Sequence, residues 1–243
     1  IMDIFEEAGV PAGVINLVSG DPVRITDIVL AHPNFAGIHF TGSTEVFKTL
    51  WQQIGTNLTT YQNYPRIVGE TGGKDFIFAH HTADIPTVVT AITRGGYEFQ
   101  GQKCSAASRM YIPKSLWNDV RIYLEEEVPK ITIGDITDFS NFFSAVIDER
   151  SFDKHASYLE IAKQSGNVVV GGNCDKSVGW FVHPTVVQVE DPKHVLMSEE
   201  IFGPVATIYV YEDQEWEQVL ELVDQTSPYA LTGAVFSKDR YAI

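Results

Sequence analysis

The sequence predicts an α/β protein, and three observations carry the prediction. Short strand-like and helix-like segments alternate almost end to end, no Ser/Pro-rich linker or internal repeat interrupts them, and the composition is that of an ordinary globular chain. The 243 residues are 44% apolar, 12% aromatic and 20% charged, enough to bury a sizeable core in one large domain or two modest ones.

The elements follow in order. Ile1, Met2, Ile4 and Phe5 form a helix-like run. Val14–Val18 reads as a strand closed by Ser19-Gly20-Asp21-Pro22, and Gly37–Phe40 as a second closed by Thr41-Gly42-Ser43. Val46, Phe47, Leu50, Trp51 and Ile54 then share one face of a helix whose N-terminus sits at Gly42-Ser43-Thr44. A strand at Phe76–Ala79 precedes a helix with a buried stripe of Ile85, Val88, Val89 and Ile92, in which Pro86 occupies the tolerated first turn. Arg109–Ile112 resumes as a strand before a helix around Trp117, Val120 and Leu124. Further strands are expected at 167–170, 181–189, 205–211 and 231–236, with helices near 148–164 and 213–224.

Tyr64-Pro65 and the glycines at 69, 72 and 73 break the pattern, so the expected division is 1–68 and 69–243. Residue 1 already lies inside a helical run and the chain stops abruptly at Tyr241-Ala242-Ile243, so the sequence reads as a piece of a longer protein.

Lys plus Arg number 17 against 32 Asp plus Glu, and the resulting charge of −15 repels nucleic acid and anionic lipid. No apolar stretch approaches the roughly 20 residues of a membrane-spanning helix. Neither nucleic acid nor membrane is expected as a partner. Two cysteines, Cys104 and Cys174, make no disulfide framework and fit a reducing compartment.

Cys104 lies among small and polar residues, Gly101-Gln102-Lys103-Cys104-Ser105-Ala106-Ala107-Ser108, between a helix and a strand. Lys103 and the loop amides favour a thiolate there, the form that attacks electrophiles. An inert buried cysteine is the alternative. Cys174, beside Asp175, reads as an exposed loop thiol. Glu70 sits in Val68-Gly69-Glu70-Thr71-Gly72-Gly73-Lys74 at a strand-to-loop transition. Its residue types fit a general base for water, and equally a solvated turn carboxylate.

Gly42-Ser43-Thr44 offers the free amides and positive dipole end that hold phosphate, or simply a helix cap. Phe47 stands where a second glycine could have followed. Glu199-Glu200-Ile201-Phe202-Gly203-Pro204 reads as a charged turn with an anchoring aromatic. His80, His81 and Asp84 suggest a metal only superficially, since adjacent histidines are expected to point apart, and no metal site is assigned. His183-Pro184 is read as structural.

In series, four segments closely resemble the aldehyde dehydrogenase superfamily, and the resemblance covers nearly the whole chain. Phe40–Val46 resembles its phosphate-binding turn, Glu70-Thr71-Gly72-Gly73-Lys74 its general-base motif, Gly101–Cys104 its nucleophile motif, and Glu199–Val205 its second cofactor motif. The 34-residue separation of Glu70 and Cys104 is also the family's. Phe47, the run Gly101–Trp117 and Phe142–Asp148 are similar to the Δ1-pyrroline-5-carboxylate dehydrogenases in particular.

The resemblance implies the end of a Rossmann-type NAD-binding domain joined to most of a catalytic domain, and oxidation of glutamate γ-semialdehyde to glutamate with NAD. Cys104 would attack the aldehyde, Glu70 would activate the water that hydrolyses the thioester, and the Cys104 amide would steady the oxyanion. Gly42 and Ser43 would face the cofactor's pyrophosphate, with Val46 near the adenine. Glu200 would hold the nicotinamide ribose, Phe202 would pack near the nicotinamide, and Ser105 would meet the substrate carboxylate.

The family's oxyanion Asn and ribose Lys lie upstream of residue 1, and its aldehyde-anchoring loop and oligomerisation strand downstream of residue 243. The 243 residues alone are therefore expected to show little activity, and the full-length enzyme to be a homo-oligomer. It is expected in the cytoplasm, or in the mitochondrial matrix of a eukaryote. Other readings stay open: another semialdehyde dehydrogenase, a non-catalytic binding or assembly domain, or a Cys–His acyl hydrolase for which no His is placed by motif.

Overall fold

A computed structural model describes residues 1–243 and divides them into two compact units, Ile1–Thr71 and Gly72–Ile243. The break falls past the expected one because Gly69 and Glu70 still belong to a strand.

The smaller unit contains α1 (Met2–Glu7), α2 (Pro22–Leu30), β1 (Gly37–Thr41), α3 (Thr44–Thr56) and β2 (Arg66–Glu70). β1 and β2 pair in parallel from Gly37 opposite Arg66 to Thr41 opposite Glu70, with α3 in the crossover between them. Leu30, Phe35, Leu50 and Ile54 bury together, each contributing roughly 1.5–3 kcal/mol. Only Leu50 and Ile54 of the expected α3 stripe are buried, whereas Val46 and Trp51 are exposed.

Val14–Val18 is not a strand. It carries no regular structure, pairs with no strand of the chain, and leaves Val14, Leu17 and Val18 exposed. The Asp21-Pro22 that seemed to close it instead opens α2: the Asp21 carboxylate accepts from the Arg24 N–H at 2.9 Å, and Pro22 sits in the first turn.

The larger unit runs β3 (Asp75–Ala79), α4 (Ile85–Tyr97), β4 (Ala107–Pro113), α5 (Lys114–Glu127), α6 (Glu149–Ser165) and β5 (Asn167–Val170). It continues with β6 (Cys174–Asp175), β7 (Phe181–Val182), β8 (Thr185–Val189), α7 (Val195–Ser198), β9 (Val205–Tyr211), α8 (Trp216–Gln225) and β10 (Gly233–Phe236). His183-Pro184 breaks the expected 181–189 strand in two.

Six strands form one sheet in the order β10-β3-β4-β9-β8-β5, parallel except for β5. Alternate residues face opposite layers. Ile77, Met110, Ile112, Ala206 and Ile208 pack against α4 and α5, whereas Phe78, Tyr111, Val187, Val205 and Tyr211 pack against α6, α7 and α8. Two buried phenols pin the layers: Tyr97 donates to the Thr185 carbonyl at 3.0 Å and Tyr211 to that of Ala79 at 2.6 Å.

Register positions the functional segments. The Gly72-Gly73 loop leads into β3, the Cys104 turn into β4, and the 199–204 turn into β9, and these three strands are adjacent. All three segments therefore meet at the N-terminal edge of the sheet, opposite to the carboxyl edge that open doubly wound sheets use for ligands.

Candidate active site

In the larger unit the site is built around the turn that carries Cys104. The Ala106 N–H donates to the Lys103 carbonyl at 3.1 Å, closing a turn with Cys104 and Ser105 at its corners. Cys104 is half-buried and Ser105 exposed, and neither of their amides donates to another group of the protein. The Lys103 ammonium donates to Glu98 at 2.6 Å, so the cation expected to act on the thiol is engaged by a carboxylate.

Ahead of this turn, Phe99, Gln100 and Gly101 all adopt left-handed backbone, with φ of 54°, 59° and 64°. For the two non-glycine residues this costs about 1–2 kcal/mol each. Neighbouring hydrogen bonds hold the strained run in place: the Gln100 side-chain amide donates to the Ala145 carbonyl at 2.8 Å, and Gln102 accepts from the Ile147 N–H at 3.0 Å.

Close backbone approaches lock the surrounding segments together. A β-carbon on Gly73 would overlap the Cys104 carbonyl oxygen, one on Gly72 the Glu200 carboxylate, one on Gly101 the Gly203 carbonyl, and one on Gly203 the His155 ring. Glu200 accepts from the Gly73 N–H at 2.9 Å, and its carbonyl accepts from the Lys154 ammonium at 2.9 Å. Tyr158 donates to Glu199 at 2.5 Å, and burial together with that carboxylate pushes the phenol up to about 12.

Phe202 is held at φ 61° with its side chain 41% exposed, and His155 Nε2 bonds its carbonyl at 3.0 Å. A carbonyl only accepts, so Nε2 carries the hydrogen, and burial holds this imidazole below its ordinary range.

The smaller unit gathers the other expected residues at the carboxyl ends of β1 and β2. The Gly42 N–H donates to the Glu70 carbonyl at 3.1 Å, and Ser43 caps α3 by accepting from the Val46 N–H at 3.3 Å. The buried Thr44 hydroxyl at the same helix terminus has no partner. Open amides, an orphaned hydroxyl and a dipole end together fit a phosphate group. Phe47 is accommodated by the sheet: its ring lies directly on Gly69, stacks on Phe40 at 6.0 Å and meets Trp51 edge-on at 5.6 Å.

Two minor expectations are corrected. Cys174 is no exposed loop thiol; it pairs with Val182 across β6 and β7, packs against the core, and burial pushes its thiol up. His80 and His81 do not point apart, since their rings lie 3.9 Å from each other, where His80 contacts Thr82 and Trp216.

Gln100, Gln102, Lys154 and His155 were not singled out from the sequence. Their roles depend on partners about 45 positions away, which no local pattern reveals.

The model of the aldehyde dehydrogenase family matches residues 1–243. The chain belongs to the aldehyde dehydrogenase family. Among its relatives in that family is the mitochondrial Δ1-pyrroline-5-carboxylate dehydrogenase of Dictyostelium discoideum, 52% identical over 98% of this chain and 43% of its own length. The human enzyme of that name is 47% identical, over 98% of this chain and 43% of its own. The Mycobacterium tuberculosis enzyme, solved with NAD bound, superposes with a TM-score of 0.93 at 48% identity, covering 99% of this chain and 44% of that one. The chain thus spans less than half the length of these aldehyde dehydrogenases.

Proposed function

We propose that this chain is part of an NAD-dependent enzyme that oxidises glutamate γ-semialdehyde, the open form of Δ1-pyrroline-5-carboxylate, to glutamate. The observation that carries the reading is the Cys104 turn: a half-buried thiol between two amides with no partner, on a loop held in strained backbone. The names of the relatives support the substrate, and the bound NAD of the tuberculosis enzyme supports the cofactor.

In this reading the Cys104 thiolate adds to the aldehyde carbon, and the open amides at 104 and 105 donate to the resulting oxyanion of a thiohemiacetal. Bound NAD would supply the hydride acceptor needed to convert that adduct to a thioester. Gly42 and Ser43 at the α3 terminus hold its pyrophosphate, with Val46 beside the adenine. Glu200 holds the nicotinamide ribose and Phe202 packs against the ring. The Gly73 N–H fixes the Glu200 carboxylate for that task.

Glu70 then takes a proton from water, the hydroxide attacks the thioester carbon, and glutamate leaves as the thiol is restored. The exposed hydroxyl of Ser105 bonds the substrate's carboxylate. In this reading residues 1–68 serve the pyrophosphate and adenine, while 69–243 carry the thiol chemistry together with the nicotinamide contacts of Glu200 and Phe202. The D. discoideum and human relatives are named mitochondrial, which supports the matrix as the site of the reaction in a eukaryotic cell.

The test is NADH formation from pyrroline-5-carboxylate by the full-length protein. Cys104→Ala is expected to abolish turnover, and Glu70→Gln to accumulate an acyl adduct on Cys104, visible by intact mass. Wild-type rates in either variant would refute the assigned roles.

A further inference from the structure

One face of α6 grips the turn that carries Glu200 and Phe202. Lys154, His155 and Tyr158 each donate to it: the Lys154 ammonium to the Glu200 carbonyl at 2.9 Å, His155 Nε2 to the Phe202 carbonyl at 3.0 Å, and the Tyr158 hydroxyl to Glu199 at 2.5 Å.

The three bonds are not equivalent. Those of Lys154 and Tyr158 are exposed, so water can stand in for either. His155 is 1% exposed, and no backbone N–H donates to the Phe202 carbonyl, so the imidazole is its one partner in the protein. Burial keeps this ring neutral with its hydrogen on Nε2, while Nδ1 accepts from the Ser151 hydroxyl at 3.4 Å.

That carbonyl belongs to a strained residue. Phe202 holds φ 61°, which a bulky side chain adopts only where its surroundings enforce it. Enforcement continues at the next residue: the Val205 N–H donates to the Gly203 carbonyl at 2.8 Å, and a β-carbon on Gly203 would overlap the His155 ring. The imidazole thus lies against Gly203 and hydrogen-bonds the Phe202 carbonyl beside it. The twist has a visible result, since Phe202 is 41% exposed between Ile201 and Val205, which are each 1% exposed.

We propose that His155 is a positioning residue for the nicotinamide contact: its Nε2–H holds the Phe202 carbonyl, and with it the backbone twist that presents the Phe202 ring. This rests on the reading above that Phe202 packs against the nicotinamide. His155 acts through Phe202 and meets no reacting group itself.

The experiment compares the full-length wild type with His155→Leu, which fills the space without a donor, and His155→Gln, whose amide reaches the place of Nε2. In the protein without NAD, hydrogen exchange of the 201–205 amides is expected to quicken in His155→Leu and to return toward wild type in His155→Gln. Calorimetry is expected to show NAD binding about tenfold weaker in His155→Leu and largely rescued in His155→Gln. The KM for NAD should rise with it while that for pyrroline-5-carboxylate stays level, a split that general loosening of the fold would not produce. Wild-type exchange and NAD affinity in His155→Leu, or equal losses in both variants, overturns the proposal. Should His155→Leu fail to fold, His155→Asn, a polar side chain that stops at the place of Nδ1, is expected to weaken NAD binding similarly, and unchanged binding overturns the proposal as surely. A wild type that binds no NAD refutes the nicotinamide assignment itself, and this inference with it, whereas variants that match an NAD-binding wild type refute only the role of His155.

Discussion

The α-carbon of Gly73 lies against the carbonyl oxygen of Cys104, with no room for a β-carbon between them. One residue thereby sets two functional groups, because the same Gly73 donates its N–H to the Glu200 carboxylate at 2.9 Å. The loop entering β3 acts as a spacer that fixes the nucleophile turn relative to the acidic turn before β9.

Gly73→Ala is accordingly expected to push the Cys104 turn away and to lower stability by about 1–3 kcal/mol. Turnover with pyrroline-5-carboxylate should fall by a larger factor than stability alone explains, because positioning errors of an ångström are costly in catalysis. Urea denaturation and NADH formation measured on one preparation check it, and wild-type values in both would remove the spacer role.

Phe47 and Gly69 form a second matched pair. Gly69→Ala should destabilise the smaller unit, since the new methyl overlaps the Phe47 ring. In a Phe47→Ala background the same change should be close to neutral. A double-mutant cycle reads the coupling directly, with about 0.5–3 kcal/mol expected for residues in contact, and additivity would mean that the ring moves aside freely.

The two cysteines should differ toward iodoacetamide. Cys174 is half-buried on β6 and its thiol is pushed up by burial, whereas Cys104 sits at the corner of a turn. Mass-resolved labelling is expected to modify Cys104 first, and equal rates would favour a non-catalytic role for the chain.

Lys74 predicts a particular pH dependence. Its amine keeps a proton up to about 7 in the folded chain and up to its ordinary 10.5 when unfolded. Between those values the unfolded state binds more protons, so stability rises as pH climbs from 7 to 10.5. Lys74→Met should flatten that rise. Denaturation midpoints at pH 7, 8.5 and 10 for both proteins check this. Identical profiles would show that the amine does not titrate in that window.

Much of the fold was legible because its strands and helices are short and strongly patterned. Phe76–Ala79, Val205–Tyr211 and the Val88, Val89, Ile92 stripe lie where their periodicity put them. Val14–Val18 misled because a short apolar run forms a strand only when a partner accepts the pairing, and here none does. α2 was overlooked although Asp21-Pro22 is a helix-start signal as much as a turn.

At the site, Cys104, Glu70 and Glu200 stood out by their neighbours, whereas away from it the buried Lys74 and Arg109 did not. Arg109 within the apolar run Arg109–Ile112 was the available clue, a charge in a strand buried on both faces. The polar clamps from Gln100, Gln102 and His155 are long-range and leave no periodic trace.

The strand order of the larger sheet also governs how the chain reaches its native state. β4 finds its partner β9 only through pairs such as Arg109 with Thr207, 98 positions on, and β3 is closed by β10 still later in the chain. At synthesis rates of about 5–20 residues per second, the β9-facing edge of β4 emerges roughly 5–20 s before its partner strand. Non-local parallel pairing of this kind is intrinsically slow, so this edge of the sheet stays open through much of the unit's synthesis.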